Sequence, residues 1–297
     1  MLNIKKNRLI AYLKLSISAV IWGISFIATK VAVAEAPPAV IIWLRFNMSL
    51  VILFFYLLQR REFTLPPIKE LLYLALLGFI GISLHHWLQS TGLVTAKAST
   101  TSWLIATTPI FMALLAWLFL KEKITLTALC GILLASMGVL LVVSNGDMTA
   151  VLNGEFGSIG NVLVMLSAFN WAVFSVLSRR SLDKYSAIFV LFYATLFGVL
   201  FSSVHFLFIK GWIYIPQLSN ATWLAIAFLG VASSFLAYTY WYDGLQIIGA
   251  TQAGVFIYME PLISLVVAAL VLNEAVTLPA LLGGSLILLG VWLVNRM

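Results

Sequence analysis

Stretches of about twenty mostly apolar residues follow one another along almost the whole chain, and no other feature limits its fold as strongly. Crossing the hydrocarbon core of a bilayer as a helix takes roughly 20 such residues. Cutting at charges, Pro/Gly clusters and polar loops yields about ten stretches, at roughly 10–33, 38–58, 70–91, 97–120, 125–144, 157–179, 186–209, 221–243, 249–272 and 277–296. Composition carries the same message. Of 297 residues, 63% are hydrophobic and 9% charged, where a soluble domain has about 45–50% and about 25%. Soluble enzymes, nucleic-acid binders and disordered tails are thereby excluded. The first stretch is too long for a signal peptide, lacks a small-residue cleavage site, and is followed by nine more spans.

The net charge of +7 reads as topology. With a cytoplasmic N-terminus, the inner side holds Lys5, Lys6, Arg8, Arg60, Arg61, Lys69, Lys121, Lys123, Arg179, Arg180, Lys184 and Arg296, and the outer loops hold only Lys97 and Lys210. The positive-inside rule then predicts that both termini are cytoplasmic, which agrees with an even number of spans. The single cysteine, Cys130, and the histidines His85, His86 and His205 make no metal-ligand spacing. There is no HExxH, P-loop or GxSxG, and no GxGxxG between a strand and a helix. No metal, cofactor or nucleic acid is expected, and no enzyme constellation is visible. A scaffold would need long loops or soluble domains, and these are missing.

The second half of the chain repeats the first. LLYLALLGFIGISLHHWLQSTGLVTAKAS from residue 71 aligns without gaps on WLAIAFLGVASSFLAYTYWYDGLQIIGAT from residue 223, an offset of 152. Carried to the C-terminus, 24 of 75 positions are identical, among them Gly78/Gly230, Pro109/Pro261, Glu122/Glu274, Gly131/Gly283 and Gly138/Gly290. In the first two stretches an offset of about 149 pairs Trp22 with Trp171 and Lys30 with Arg179. Two units are expected, 1–148 and 149–297, each of five spans. Because five is odd, the second must enter the membrane from the opposite side. Such an inverted-topology repeat suits alternating access to a central site. Duplication for the sake of a stable ten-helix bundle is the plainer alternative.

Several segments resemble the EamA family of the drug/metabolite transporter superfamily. These are VIWGISFIATK, WLRF ending at Phe46, TTPIFMALLAWLFLKEKIT with its partner MEPLISLVVAALVLNEAVT, and the glycine-spaced CGILLASMGVLLV and GGSLILLGVWLV. The resemblance implies an all-α integral membrane protein with ten helices and a central cavity lined largely by helices 3, 4, 8 and 9. It implies a secondary transporter of small metabolites, often an exporter of amino acids or drugs, in a bacterial cytoplasmic (inner) membrane. The implied partners are a small-molecule substrate and the bilayer, with monomer and homodimer both open. One departure from internal symmetry matters: Thr108-Pro109 stands where the second half has Glu260-Pro261. Uptake or exchange of a phosphorylated, nucleotide-like solute is the alternative, and only Arg45 and Lys30 could supply its cations.

Glu260 is the leading candidate. It lies about midway along stretch 9, where an ionisable group costs at least about 2.5–3.5 kcal/mol to insert and so must face the bundle or a wet cavity. It suits substrate binding or proton exchange; a structural acid beside the Pro261 break is the alternative. Pro109 and Pro261 break their helices at matching places, which points to a binding region as readily as to inherited packing kinks. Trp103 and Thr107 share one face of stretch 4, and Gln252, Phe256 and Tyr258 lie near Glu260 in stretch 9. His86, Tyr238 and Tyr242 belong to an aromatic cluster with His85, Trp87, Tyr240 and Trp241, fit for an aromatic cage or an interfacial belt. Trp22 and its counterpart Trp171 read as packing anchors or cavity walls. Arg45 could pair with an acid or bind an anionic group, and reads first as structural or as snorkelling outward. Glu122 and Glu274 are expected to cap neighbouring helices rather than bind substrate, and the seven-residue glycine spacings to permit close helix packing.

Overall fold

In lipid, backbone polar groups find no water, so a chain of this composition must satisfy them within helices. The computed structural model describes residues 2–120, 125–147, 149, 157–248 and 256–294, and among them there is no strand. The helices are α1 (Leu2–Val33), α2 (Pro38–Gln59), α3 (Ile68–Gly78), α4 (His85–Thr95), α5 (Ala98–Ile105), α6 (Thr108–Leu120), α7 (Leu126–Val143), α8 (Ile159–Leu182), α9 (Ala187–Phe208), α10 (Asn220–Ala227), α11 (Tyr238–Ile248), α12 (Met259–Val271) and α13 (Leu278–Val294). Their ends follow local chemistry. The Thr125, Ser186 and Ser219 hydroxyls accept the backbone N–H three residues on and cap α7, α9 and α10. Asn145 and Asn273 take left-handed backbone angles that turn the chain after α7 and α12.

Among the described residues, 7 helical stretches are long and apolar enough to cross a membrane: Arg8–Val33, Pro38–Gln59, Ile68–Thr95, Leu126–Val143, Ile159–Leu182, Ala187–Phe208 and Asn220–Gly244. The protein is therefore a multi-pass integral membrane protein built of helices. Met259–Val271 and Leu278–Val294 are apolar but shorter. The stretch expected at 97–120 is divided, because α5 ends at Ile105 and α6 begins at Thr108. Pro109 explains the break: its ring has no N–H and clashes with the carbonyl four residues back, at Ile105. That carbonyl accepts instead from the Thr108 hydroxyl at 2.7 Å, while Thr107 donates to the Leu104 carbonyl at 2.6 Å. A turn at Tyr258, three residues before Pro261, marks the corresponding place ahead of α12.

Two departures from α-geometry have no sequence signature. Phe79–Leu84 joins α3 to α4 as a π-helix, and Phe228–Ala237 joins α10 to α11 as another. The 152-residue offset places the first of these at 231–236, inside the second. π-helical segments are rare and favour functional sites.

The halves interleave. The α3–π–α4 unit packs on α8 and α9, and the α10–π–α11 unit packs on α1 and α2. Glycines set these crossings. A Cβ on Gly78 would meet the Ala194 carbonyl at 2.5 Å and Phe197 Cβ at 2.8 Å, and one on Gly230 would meet the Arg45 carbonyl and Met48 Cβ, each at 2.9 Å. Arg45/Ala194 and Met48/Phe197 are each 149 residues apart, so the same contact is made twice. Helices α7 and α13 share the most extensive interface. There a Cβ on Gly131 or Gly290 would lie 2.5 Å from the other's carbonyl oxygen, and Gly138 and Gly283 face each other in the same way. The expectation that these glycines permit close packing is met. At one end of the bundle Lys14 pairs with Asp243, and Lys184 with Glu70, both at 2.6 Å; such part-exposed pairs contribute little stability.

Candidate functional site

Where the two halves cross, side chains from both enclose a cavity of about 50 Å³. The walls come from α1 and α8 (Trp22, Trp171), α2 (Arg45), the first turn of α4 (His85, His86), and the two helix breaks (Thr108 and Glu260). The second π-helix and the start of α11 close it with Ser233 and Tyr238. The volume accepts a few water-sized groups but falls well short of the roughly 300–1,000 Å³ of a typical organic-ligand pocket. The cavity is thus small for an organic solute.

Its aromatic wall is built on the repeat. Trp22 and Trp171, equivalent at the 149-residue offset, meet edge-on with ring centroids 6.3 Å apart. Tyr238 lies 5.2 Å from Trp22 and 5.8 Å from Trp171, again edge-on. His86 and Tyr238, equivalent at the 152-residue offset, are hydrogen bonded between Nε2 and the phenol oxygen at 3.2 Å. His85 donates from Nδ1 to the Ser167 carbonyl at 3.1 Å and lies 4.9 Å from the Trp171 ring. The π-helices supply the polar contacts that fix this wall. The Trp22 indole N–H donates to the Ser233 carbonyl at 3.3 Å, and Asn170 donates to the Ile80 carbonyl at 2.7 Å.

The charged groups are disposed asymmetrically. Glu260, the second residue of α12, is 4% exposed and makes no hydrogen bond or ion pair among the described residues. Arg45 is 2% exposed and does not snorkel. Its Nε donates to the Ser234 hydroxyl at 3.0 Å and its Nη2 to the Ser233 hydroxyl at 3.2 Å, while the guanidinium lies 4.9 Å from the Phe46 ring centroid. No carboxylate approaches it within 4.0 Å among the described residues, so the one acid and one guanidinium of the cavity are not paired.

Of the residues singled out from sequence, Glu260, Trp22, His86 and Tyr238 come together here. The others lie apart. Trp103 is buried against Gly284 of α13, with its indole N–H unpartnered. Thr107 turns its hydroxyl onto its own helix and toward Met165. Tyr242 is buried in the cluster that holds Tyr238 but does not line the cavity, and Phe256 stacks on Tyr12 with centroids 5.8 Å apart. Tyr258 packs beside the α7–α13 cluster, and Gln252 lies outside the described residues. Pro109 and Pro261 follow the wall residues Thr108 and Glu260 directly. Arg45, Ser233, Thr108 and Trp171 were not among the leading candidates. For Trp171 and Thr108 the repeat held the clue, since each is the counterpart of a residue that was. For Ser233 there was no clue, because only the π-helix turns it inward.

Two further polar contacts lie at the opposite end of the bundle from Lys14 and Asp243. The Glu274 carboxylate accepts the backbone N–H groups of Ala98 and Ser99 at 2.9 and 3.1 Å and the Ser99 hydroxyl at 2.5 Å, capping α5 as expected. Glu122 lies outside the described residues. Lys30 donates to the carbonyls of Leu93, Val94 and Ala96 at 2.7, 3.2 and 2.7 Å and so closes the C-terminus of α4.

Known proteins of the same kind share this plan. The chain is 30% identical over 286 residues to an uncharacterized transporter of Archaeoglobus fulgidus, covering 95% of this chain and 96% of the relative. It is 29% identical over 237 residues, 78% of this chain and 75% of the other, to a Streptantibioticus cattleyicolor protein named "Probable terminal-alkyne amino-acid exporter". A crystal structure of a protein 18% identical in sequence superposes with a TM-score of 0.66 over 97% of this chain and 96% of that one, a likeness of fold alone. The model of the EamA-like transporter family matches twice, at residues 9–144 and 158–296. A helical membrane protein whose two similar halves meet at a buried, partly charged cavity, and whose full-length relatives are named transporters, belongs to the EamA-like transporter family.

Proposed function

We propose that this transporter is a secondary exporter of small organic solutes, amino acids among them, working by alternating access. One observation carries the reading: Glu260, an unpaired acid at membrane depth, faces a small cavity at the crossing of two similar halves. A charge there is costly, and function is its default explanation. The ten-span reading takes the units 1–148 and 149–297 as inverted copies with both termini in the cytoplasm of a bacterial cell. Its support is the doubled contact of Gly78 and Gly230 and the meeting of Trp22 with Trp171 and of His86 with Tyr238. Equivalent residues touch each other only near the axis that relates two copies, so these contacts favour an axis through the cavity. Rocking of the halves about it would expose Glu260 to each side in turn. A carboxylate that holds either a proton or the cationic part of a solute, but not both, exchanges one for the other. The amino-acid exporter among the relatives favours that solute class. A phosphorylated solute is disfavoured, because Arg45 is the single Lys/Arg on the cavity wall among the described residues.

In proteoliposomes, labelled amino acids should accumulate or leave saturably and respond to an imposed pH gradient. Glu260→Gln should remove the response to the gradient while the protein keeps its elution profile in detergent. Unchanged gradient dependence would take Glu260 out of the coupling step, and silence across a broad solute panel would defeat the transport assignment.

A further inference from the structure

Arg45 is the buried cation that the reading above leaves without a task. A guanidinium has five N–H donors, and Ser233 and Ser234 take one each. Nη1 makes no hydrogen bond among the described residues, and Arg45 lines the cavity. The two serines grip the Nε side and leave the Nη1/Nη2 end presenting parallel N–H groups, the fork that matches a carboxylate. Both serines belong to the π-helix Phe228–Ala237 and are buried. Snorkelling would have kept the charge in water. Instead the fold buries it on the cavity wall with neutral partners and, among the described residues, no counter-ion.

Symmetry sharpens the point. The counterpart of Arg45 in the second half is Ala194, and the counterpart of Glu260 in the first half is Thr108. A duplicated site would carry two of each charge. This one carries one cation from the first half and one anion from the second, unpaired, with the Trp22–Trp171–Tyr238 wall lining the same space. We propose that Arg45 is a specificity-determining residue that receives the solute's carboxylate while Glu260 receives its ammonium, so that the transported class is zwitterions with an apolar side chain. This rests on the transport reading of the cavity and adds a fixed polarity to it.

The test uses the purified full chain and three probe sets: leucine, phenylalanine and tryptophan, their methyl esters, and their deaminated acids. Binding is scored by thermal shift and by competition with labelled amino acid in proteoliposomes. The best amino acid should outbind its ester on the order of 10–100-fold, the cost of an unmade charged hydrogen bond in a buried site. Arg45→Gln and Arg45→Lys should bring that ratio close to one while ester binding persists. Should Arg45 variants fail to fold, the Ser233→Ala/Ser234→Ala pair serves in their place, lowering the amino-acid/ester ratio. Glu260→Gln should erase the preference over the deaminated acid. Equal binding of amino acid and ester by the native protein, or a ratio that survives the Arg45 and serine variants, overturns the proposal and leaves transport standing. If only the deaminated acids bind, the role of Glu260 falls with it. If none of the three sets binds, the proposal is overturned, and the broad solute panel decides separately whether the transport reading falls.

Discussion

Glu274 shows how a single residue in this protein does structural work that its position disguises. A carboxylate at the C-terminus of its own helix opposes the dipole, which is unfavourable locally. It is repaid across space, because the same carboxylate caps the N-terminus of α5 with two backbone N–H groups and a hydroxyl. The residue therefore ties the second half to the first helix after α4. Glu274→Gln keeps the shape but loses the charge and half of the acceptor capacity. It should cost about 1–2 kcal/mol, read as a lower thermal midpoint in detergent, and Glu274→Asp should not restore it because the shorter side chain withdraws from Ser99. A midpoint equal to that of the native protein would show the cap to be idle. From sequence, Glu122 and Glu274 were both expected to be caps; for Glu274, which helix is capped depended on how the halves cross.

At the scale of elements, periodicity and apolar length located the helices, and proline located the division between α5 and α6. Thr108 was legible as a neighbour of that division, but its hydroxyl bond to Ile105 was not. The π-helices were not legible at all. Phe79–Leu84 and Phe228–Ala237 read as ordinary apolar helix, and their altered winding is recovered through long-range bonds from Asn170 and Trp22. The α7–α13 crossing is the opposite case. Its glycine spacing was visible in sequence, and the contact follows from it: a Cβ at Gly131 has no room beside the Gly290 carbonyl. Gly131→Leu should force the helices apart, destabilising by about 1–3 kcal/mol or more. Its expected signature is a lowered melting temperature with solute specificity unchanged, since neither glycine touches the cavity. A stable protein with altered specificity would mean that this crossing reports to the site.

For the whole molecule, the proposed inverted arrangement makes a prediction about sidedness. With Cys130 replaced by alanine and single cysteines placed near Asn145 and near Arg61, only the first should react with an impermeant thiol reagent added outside intact cells. Labelling of both, or of the second alone, would contradict two opposed five-span units. The sequence by itself determined that the chain lives in a bilayer, that it is helical, that it repeats, and to which family it belongs, because each of these depends on composition, spacing or self-similarity within the chain. It also picked out Glu260, since a charge among so many apolar residues is conspicuous wherever it lies. Only the tertiary structure decided which residues meet. Trp103 and Trp22 look alike in sequence, yet one packs against Gly284 and the other faces the cavity. Arg45, expected to be structural or to reach for water, does not reach for water and is held by two serines of the second π-helix. The physical reason is that burial and pairing at a crossing of two halves are set by helix rotation and winding over 150 residues of separation, and no local pattern encodes those.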